Sequence, residues 1–199
     1  MRMRQIIIAI DPGTERSGWM IFDRDNKPWQ WGWWENERII DNLLDGFVTL
    51  VIEDMAHFGP NIRAGRDVFE TCKWMGRFEQ KAGNATYLGR VQIKTHITGM
   101  ASSKDKDVRI ALIDRFGGER EAIGGIKCAT CKGKGWTGRG RPACTDCHHT
   151  NPEAPLVPDE LGCGYEVHPG VLHGVKSHEW SALAIGQTYI DSLDAEVAM

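Results

Sequence analysis

Residues 5–22 read QIIIAIDPGTERSGWMIF, and the fold turns on this stretch. Gln5 to Ile10 is an apolar run of strand length. It ends in Asp11-Pro12-Gly13, where Pro12 and Gly13 make a tight turn that holds the Asp11 carboxylate at the strand end. Ser17 to Phe22 is a second run of the same kind. The basic start, MRMR, followed by Ile6 to Ile10 has the outline of a signal peptide. The run is short, however, and closes on Asp-Pro-Gly instead of a small-residue cleavage site, so it predicts a buried strand. With no export signal the expected compartment is the cytoplasm. No apolar run approaches the roughly 20 residues a membrane helix needs, so no membrane partner is expected.

Working outward, Pro28 to Trp34 predicts a third strand carrying four tryptophans, joined to the second by turn chemistry at Asp25-Asn26. Trp29, Trp31 and Trp33 alternate, which predicts one packed strand face, with a dimer interface or stacking on an opened base as the alternative uses. Arg38 to Phe47 has helical spacing, and Thr49 to Ile52 is a short buried strand. Asn61 to Lys81 predicts a long helix with Val68, Phe69, Cys72, Met75, Gly76 and Phe78 near one face. Tyr87 to Ile93 predicts a strand, Ser103 to Phe116 a helix capped by Ser102 or Ser103, and Lys176 to Leu193 a last helix. Between Gly117 and about Gly170 periodicity stops and Gly, Pro, Cys and His dominate. Three antiparallel strands followed by alternating helices and strands resemble the ribonuclease-H-like order. The expectation is an α/β fold: a mixed five-stranded sheet flanked by helices, built from residues 1–120 and 171–199, with 121–170 as an inserted module.

The chain has 199 residues and a formal net charge of −3, which does not advertise a nucleic-acid binder. The distribution is more telling. Residues 1–60 carry 6 Lys+Arg against 10 Asp+Glu, residues 61–109 carry 10 against 5, and residues 110–199 carry 8 against 12. Such a field suits an acidic metal-binding centre beside a basic surface that tracks phosphate. A solvated helix face would give the same count.

Asp11 closes the first strand, and alone it is explained by a strand-ending turn. Glu53 closes the fourth in Val51-Ile52-Glu53-Asp54, and alone it is explained as a solvent-facing acid. His178 opens the last helix, where a lone histidine is commonly a cap or a packed residue. The conjunction says more. Buried carboxylates placed side by side are costly unless a cation neutralises both, and these two acids and a histidine can converge on one metal centre.

The blocks DPGTERSG (11–18), VIEDMAHFG (51–59), KTHITGMASSKDKDVR (94–109) and SHEWSALAIG (177–186) resemble, in order, the signatures of RuvC-type Holliday-junction resolvases. The match spans most of residues 5–116 and 171–190. The resemblance implies a homodimer that binds four-way DNA junctions and cuts two strands symmetrically with Mg²⁺ or Mn²⁺. It implies that Asp11, Glu53 and His178 are catalytic and hold that metal. It also implies that Lys94, Lys104, Lys106 and Arg109, in the basic segment, neutralise phosphates; exposed charges on a helix and strand would explain these four equally simply. One departure stands out. Where the family has a second acid on the last helix, this chain has Ser181, and a hydroxyl is a weak, neutral ligand beside a carboxylate. Glu179 is near in sequence, yet at about 100° per residue it points away from the face shared by His178 and Ser181. A water in the Ser181 slot, a helix register that lets Glu179 reach, or a weakened or substituted site would each account for it. The leading expectation is therefore a structure-selective endonuclease. The rivals are a catalytically weak junction-binding protein and another ribonuclease-H-like enzyme such as an RNA-directed nuclease.

Cys128-Ala-Thr-Cys131 and Cys144-Thr-Asp-Cys147 form two CxxC pairs with 12 residues between them. Two such thiolate pairs make the tetrahedral sulfur site that Zn²⁺ prefers in structural roles. The CxxCxGxG start resembles the zinc repeats of DnaJ chaperones and zinc ribbons. A resolvase with such an insertion would suit a phage that debranches DNA. Five basic residues and Trp136 between Lys127 and Cys147 suit contact with DNA backbone or an unpaired base. Zinc stapling a loop too short for its own core is the plainer alternative.

Overall fold

The computed structural model describes residues 6–23, 25–44, 48–55, 65–124 and 170–197. The expected zinc ligands Cys128, Cys131, Cys144 and Cys147 lie outside the described residues. Five strands, β1 (Ile6–Asp11), β2 (Arg16–Phe22), β3 (Pro28–Glu35), β4 (Val48–Asp54) and β5 (Thr86–Gly89), form one mixed sheet in the order β3-β2-β1-β4-β5. β1–β2 and β2–β3 are antiparallel, while β1–β4 and β4–β5 are parallel. The expected mixed five-stranded sheet with flanking helices is thus present. Six helices accompany it among the described residues: α1 (Asn36–Asn42), α2 (Arg66–Ala82), α3 (Arg90–Thr98), α4 (Asp105–Arg115), α5 (Gly118–Ile123) and α6 (His178–Val197). None is long and apolar enough to cross a membrane.

Strand parity sorts the residues onto two faces. Ile8 and Ile10 of β1, Trp19 and Ile21 of β2, and Leu50 and Ile52 of β4 share a core with Ile39 of α1 and with Trp74, Met75 and Phe78 of α2. The residues of opposite parity, including Ala9, Met20 and Phe22, face α6, which packs on β1 and β2. Here α6 is apolar through Ala182, Leu183, Ala184 and Ile185. Gly186 lets it approach so closely that an added Cβ would collide with the ring of the buried Phe22. Asp11 and Glu53 have α6-face parity. Each lies one residue past the Ile10–Ile52 register pair, so parity and register deliver both acids to the same end of the same face.

Several sequence expectations need correction. Tyr87 to Ile93 is not one strand: β5 stops at Gly89, and Arg90 opens α3, with Ile93 and Ile97 buried at helical spacing. Gly99, at φ 78°, closes that helix in the left-handed conformation glycine permits. On α2 the buried residues are Thr71, Trp74, Met75 and Phe78, while Phe69 and Cys72 are exposed. The tryptophans of β3 do not form one packed face. Trp29 and Trp33 are 59% and 48% exposed, because β3 is the sheet edge, whereas Trp34 of opposite parity packs on Trp19 at 4.5 Å between centroids. Ser103 does not cap α4. Its hydroxyl meets Thr98 Oγ1 at 2.6 Å, and the Lys104 N–H donates to Asp107 instead.

The chain divides into two compact units, residues 1–109 with 175–199, and residues 110–174. Within the second, the Leu172 N–H donates to the Ala122 carbonyl at 2.7 Å. His173 Nδ1 lies 3.2 Å from the Ile123 carbonyl, and Gly170 sits so close to the Ala122 backbone that a side chain would not fit. The two ends flanking residues 125–169 are therefore joined in a narrow stem.

Candidate active site

The turn after β1 is held by a closed ring of three hydrogen bonds. The Gly13 N–H donates to Ser17 Oγ (3.1 Å), the Ser17 hydroxyl donates to Asn36 Oδ1 (2.7 Å), and Asn36 Nδ2 donates to the Gly13 carbonyl (3.0 Å). Ser17 and Asn36 are buried, so each polar group of the ring is satisfied away from water. Asn36 is also the first residue of α1, and its N–H bonds the Glu15 carbonyl. The ring ties the Asp11–Arg16 turn to the β3–α1 corner and fixes where Asp11 leaves the sheet. It also explains why α1 begins at Asn36, two residues before the helix that hydrophobic spacing predicts.

Across the sheet, Asp11 of β1 pairs with Gly18 of β2, and Gly18 pairs with Trp33 of β3. With Glu53 beyond Asp11, the row reads Glu53–Asp11–Gly18–Trp33. Gly18 leaves a gap in this row, and the start of α6 fills it. His178 Nδ1 lies 2.9 Å from Asp11 Oδ2, and its imidazole stacks on the Trp33 ring at 6.0 Å between centroids and 14° between planes. Arg16 sits over the same indole at 4.8 Å. The hydrogen bond to Asp11 raises the His178 pKa above its ordinary value, against a smaller opposing effect of burial. The Glu53 carboxyl is also pushed up, first by burial and then by the neighbouring Asp11 charge, with Arg90 working the other way.

Glu53 and His178 open into a pocket of about 400 Å³. Its lining includes Arg90, Lys94, Asp105, Lys106, Arg109 and Ser181. Of the four basic residues expected to meet phosphate, Lys94, Lys106 and Arg109 are brought to this pocket, and Lys104 is not among its lining residues. Lys94 donates to the Ser103 carbonyl at 2.7 Å and lies 3.4 Å from Asp105. Arg109 stacks on Trp180. Ser181 faces the pocket one helical turn from His178, as helical spacing requires. Glu179 does not take its place: its carboxylate accepts the Lys176 N–H at 2.6 Å and is spent on the start of α6.

Sequence reading missed Arg90 altogether, because it placed that residue inside a strand. In the structure Arg90 Nη1 donates to Glu53 Oε1 at 3.1 Å and Nη2 to Asp105 Oδ1 at 2.7 Å. The signal was available in the Ile93–Ile97 spacing and the closing Gly99, which together mark a helix starting near Arg90.

Two carboxylates and an imidazole are oxygen and nitrogen donors that Mg²⁺ or Mn²⁺ accepts, and neighbouring strands about 4.8 Å apart put both acids within one ion's reach. The donor chemistry therefore fits a divalent cation. In the present arrangement, however, no three His, Cys, Asp or Glu side chains among the described residues are disposed to hold a metal ion. Glu53 is turned to Arg90, and Asp11 and His178 are turned to each other. A cation would have to exchange with these contacts.

No family model matches the sequence, and no curated protein matches it. Solved structures do. A Thermus thermophilus RuvC structure aligns at TM-score 0.53 and 14% identity, covering 96% of each chain. The T. thermophilus RuvC in complex with Holliday junction substrate aligns at TM-score 0.52 and 14% identity, over 94% of this chain and 93% of that one. The fold is that of RuvC. At this identity the likeness extends to the backbone, and the chemistry has to be argued from the residues already described.

Proposed function

We propose that the protein is a metal-dependent endonuclease that resolves four-way DNA junctions. The observation that carries this is the row of Glu53 and Asp11 on adjacent strands, completed by His178, with Glu53 and His178 lining a pocket together with Arg90, Lys94, Lys106 and Arg109. A chain of the same fold is known in complex with a Holliday junction, which supports the substrate class. Asp11, Glu53 and His178 would hold Mg²⁺ or Mn²⁺, a cation that supplies charge stabilisation and lowers the pKa of an attacking water. The basic side chains would bind and orient the phosphodiester, a role in which arginine's planar fork suits phosphate oxygens. Cutting both strands symmetrically needs two sites, so the reading includes a homodimer. The exposed Phe69 and Cys72 on α2 give a second copy an apolar line to cover.

Ser181 favours a second reading, a junction-binding protein with weak catalysis, because a hydroxyl faces the pocket where the resemblance has an acid. A gel assay on a synthetic four-way junction, beside linear duplex and with Mg²⁺ or Mn²⁺, separates the two. Paired nicks on the junction alone are expected, with Ser181→Asp faster by roughly tenfold. Binding without cutting, with cutting restored by Ser181→Asp, would establish the second reading. Neither binding nor cutting would overturn both.

We further propose that Cys128, Cys131, Cys144 and Cys147 hold one structural Zn²⁺, in a module that the stem of residues 121–123 and 170–173 would present. Elemental analysis of the purified chain is expected to find one zinc per chain, lost when Cys128 and Cys131 are changed together to serine. Zinc retained in that variant would remove the assignment.

A further inference from the structure

The cation beside Glu53 is Arg90. The carboxylate is buried, its neighbour Asp11 is also acidic, and the contact at 3.1 Å comes from one arm of the guanidinium. The other arm holds Asp105 at 2.7 Å. Neither acid receives the paired, two-bond contact that makes an arginine–carboxylate interaction strongest. The Arg90 side chain is half-exposed, so moving it would open no cavity in the core. It stands at the first residue of α3, and Lys94 lies one turn further on, near the same Asp105. Lys106 and Arg109 line the same pocket. Four cations thus share that pocket with two acids, Glu53 and Asp105, an imbalance that an anionic phosphate would reduce.

Resting on the nuclease reading, we propose that Arg90 is a place-holding cation: it occupies Glu53 until a divalent cation and a nucleic-acid strand arrive, then passes to a backbone phosphate of that strand. Arg90 holds only Oε1 of Glu53, so a metal ion at Oε2 would stand a few ångströms from the guanidinium, and two positive charges that close repel strongly in a partly buried site. Metal and Arg90 therefore oppose each other at Glu53. Once a phosphate enters, Arg90 has an alternative partner in the same pocket, with Asp105 as its tether, and the competition is relieved. Metal loading then becomes coupled to substrate binding, and uncompensated acids are avoided in both states.

The test measures Mn²⁺ affinity by calorimetry on DNA-free protein, and junction affinity by gel shift without metal, for the native chain, Arg90→Gln and Arg90→Lys. Arg90→Gln is expected to bind Mn²⁺ roughly tenfold more tightly and the junction several-fold more weakly. Arg90→Lys, which keeps the charge but loses the fork, should fall between. A purely structural staple between β4, α3 and α4 predicts a lower melting temperature with no gain in Mn²⁺ affinity. Unchanged or weaker Mn²⁺ binding in either folded variant overturns the proposal. Absence of Mn²⁺ binding in the native chain and in every variant overturns the metallonuclease reading itself, whatever Arg90 does.

Discussion

Asp11→Asn is expected to lower the single-turnover rate of junction cleavage by about a thousandfold or more, equivalent to ~4 kcal/mol of barrier, while leaving the fold and junction affinity intact. The asymmetry follows from where Asp11 sits. Its backbone is held by the β1–β2 and β1–β4 ladders and by the buried ring of Gly13, Ser17 and Asn36, none of which uses its carboxylate. An asparagine oxygen can still accept from His178 Nδ1, so the imidazole keeps its orientation. What disappears is the charge. Asp11 is the acid central to the row, touching His178 on one side and acting on Glu53 on the other. Without it a divalent cation would have Glu53 and a neutral imidazole only, too little to compete with Arg90. Stability should change little, because relief of the like charge that pushes the Glu53 carboxyl up offsets the loss of the charged contact that raises the His178 pKa. Cleavage at the native rate by a folded Asp11→Asn protein would take the acidic row out of the chemistry.

The part of this site legible in the sequence is the part fixed by strand register. Asp11 and Glu53 end apolar runs whose burial is set by period-two alternation, so their parity follows once β1 and β4 are recognised as neighbours. His178 and Ser181 follow from helical spacing. What remained hidden depends on short or tertiary features. β5 spans only Thr86–Gly89 and runs directly into α3, and Ile93 at that boundary suits either element, so the sequence alone puts Arg90 on the wrong kind of backbone. The exposure of Trp29 and Trp33 depends on β3 being an edge strand, which alternation along one strand cannot reveal. The Ser17–Asn36 hydrogen bond joins residues 19 apart in sequence, and neither residue alone announces a buried polar ring. Glu179 could be set aside from helical geometry, but its actual employment, accepting the Lys176 N–H, depends on how the chain enters α6 at Ser177, which has φ 38°.

Gly18→Ala is expected to lower cleavage by roughly a hundredfold, at a cost in stability of about 1–3 kcal/mol, although residue 18 carries no functional group. The added Cβ would stand 2.6 Å from the His178 carbonyl oxygen and 2.8 Å from the His178 carbonyl carbon and Cβ. These are mostly backbone atoms of a helix start, so no flexible side chain can swing aside. The helix cannot simply lift, because two turns further on Gly186 is already against Phe22 and the intervening Ala182, Leu183 and Ile185 are fully buried. The least costly response is a tilt of the first turn of α6 away from β2. That tilt would carry the imidazole away from Asp11 and Trp33 together. Misplacing a reacting group by about 1 Å is enough for the expected loss. Junction affinity should fall far less than the rate: Lys94 and Lys106 stand on α3 and α4, and of the pocket's basic side chains Arg109, which stacks on Trp180, is the one that meets the tilted turn. The measurement is cleavage rate against gel-shift affinity, with the melting temperature as a check on folding. Parallel losses of rate and affinity would mean that Gly18 serves the fold as a whole. A fall in rate alone would show that the gap in the Glu53–Asp11–Gly18–Trp33 row exists to seat His178. A folded variant with native cleavage would mean that the imidazole is not part of the site.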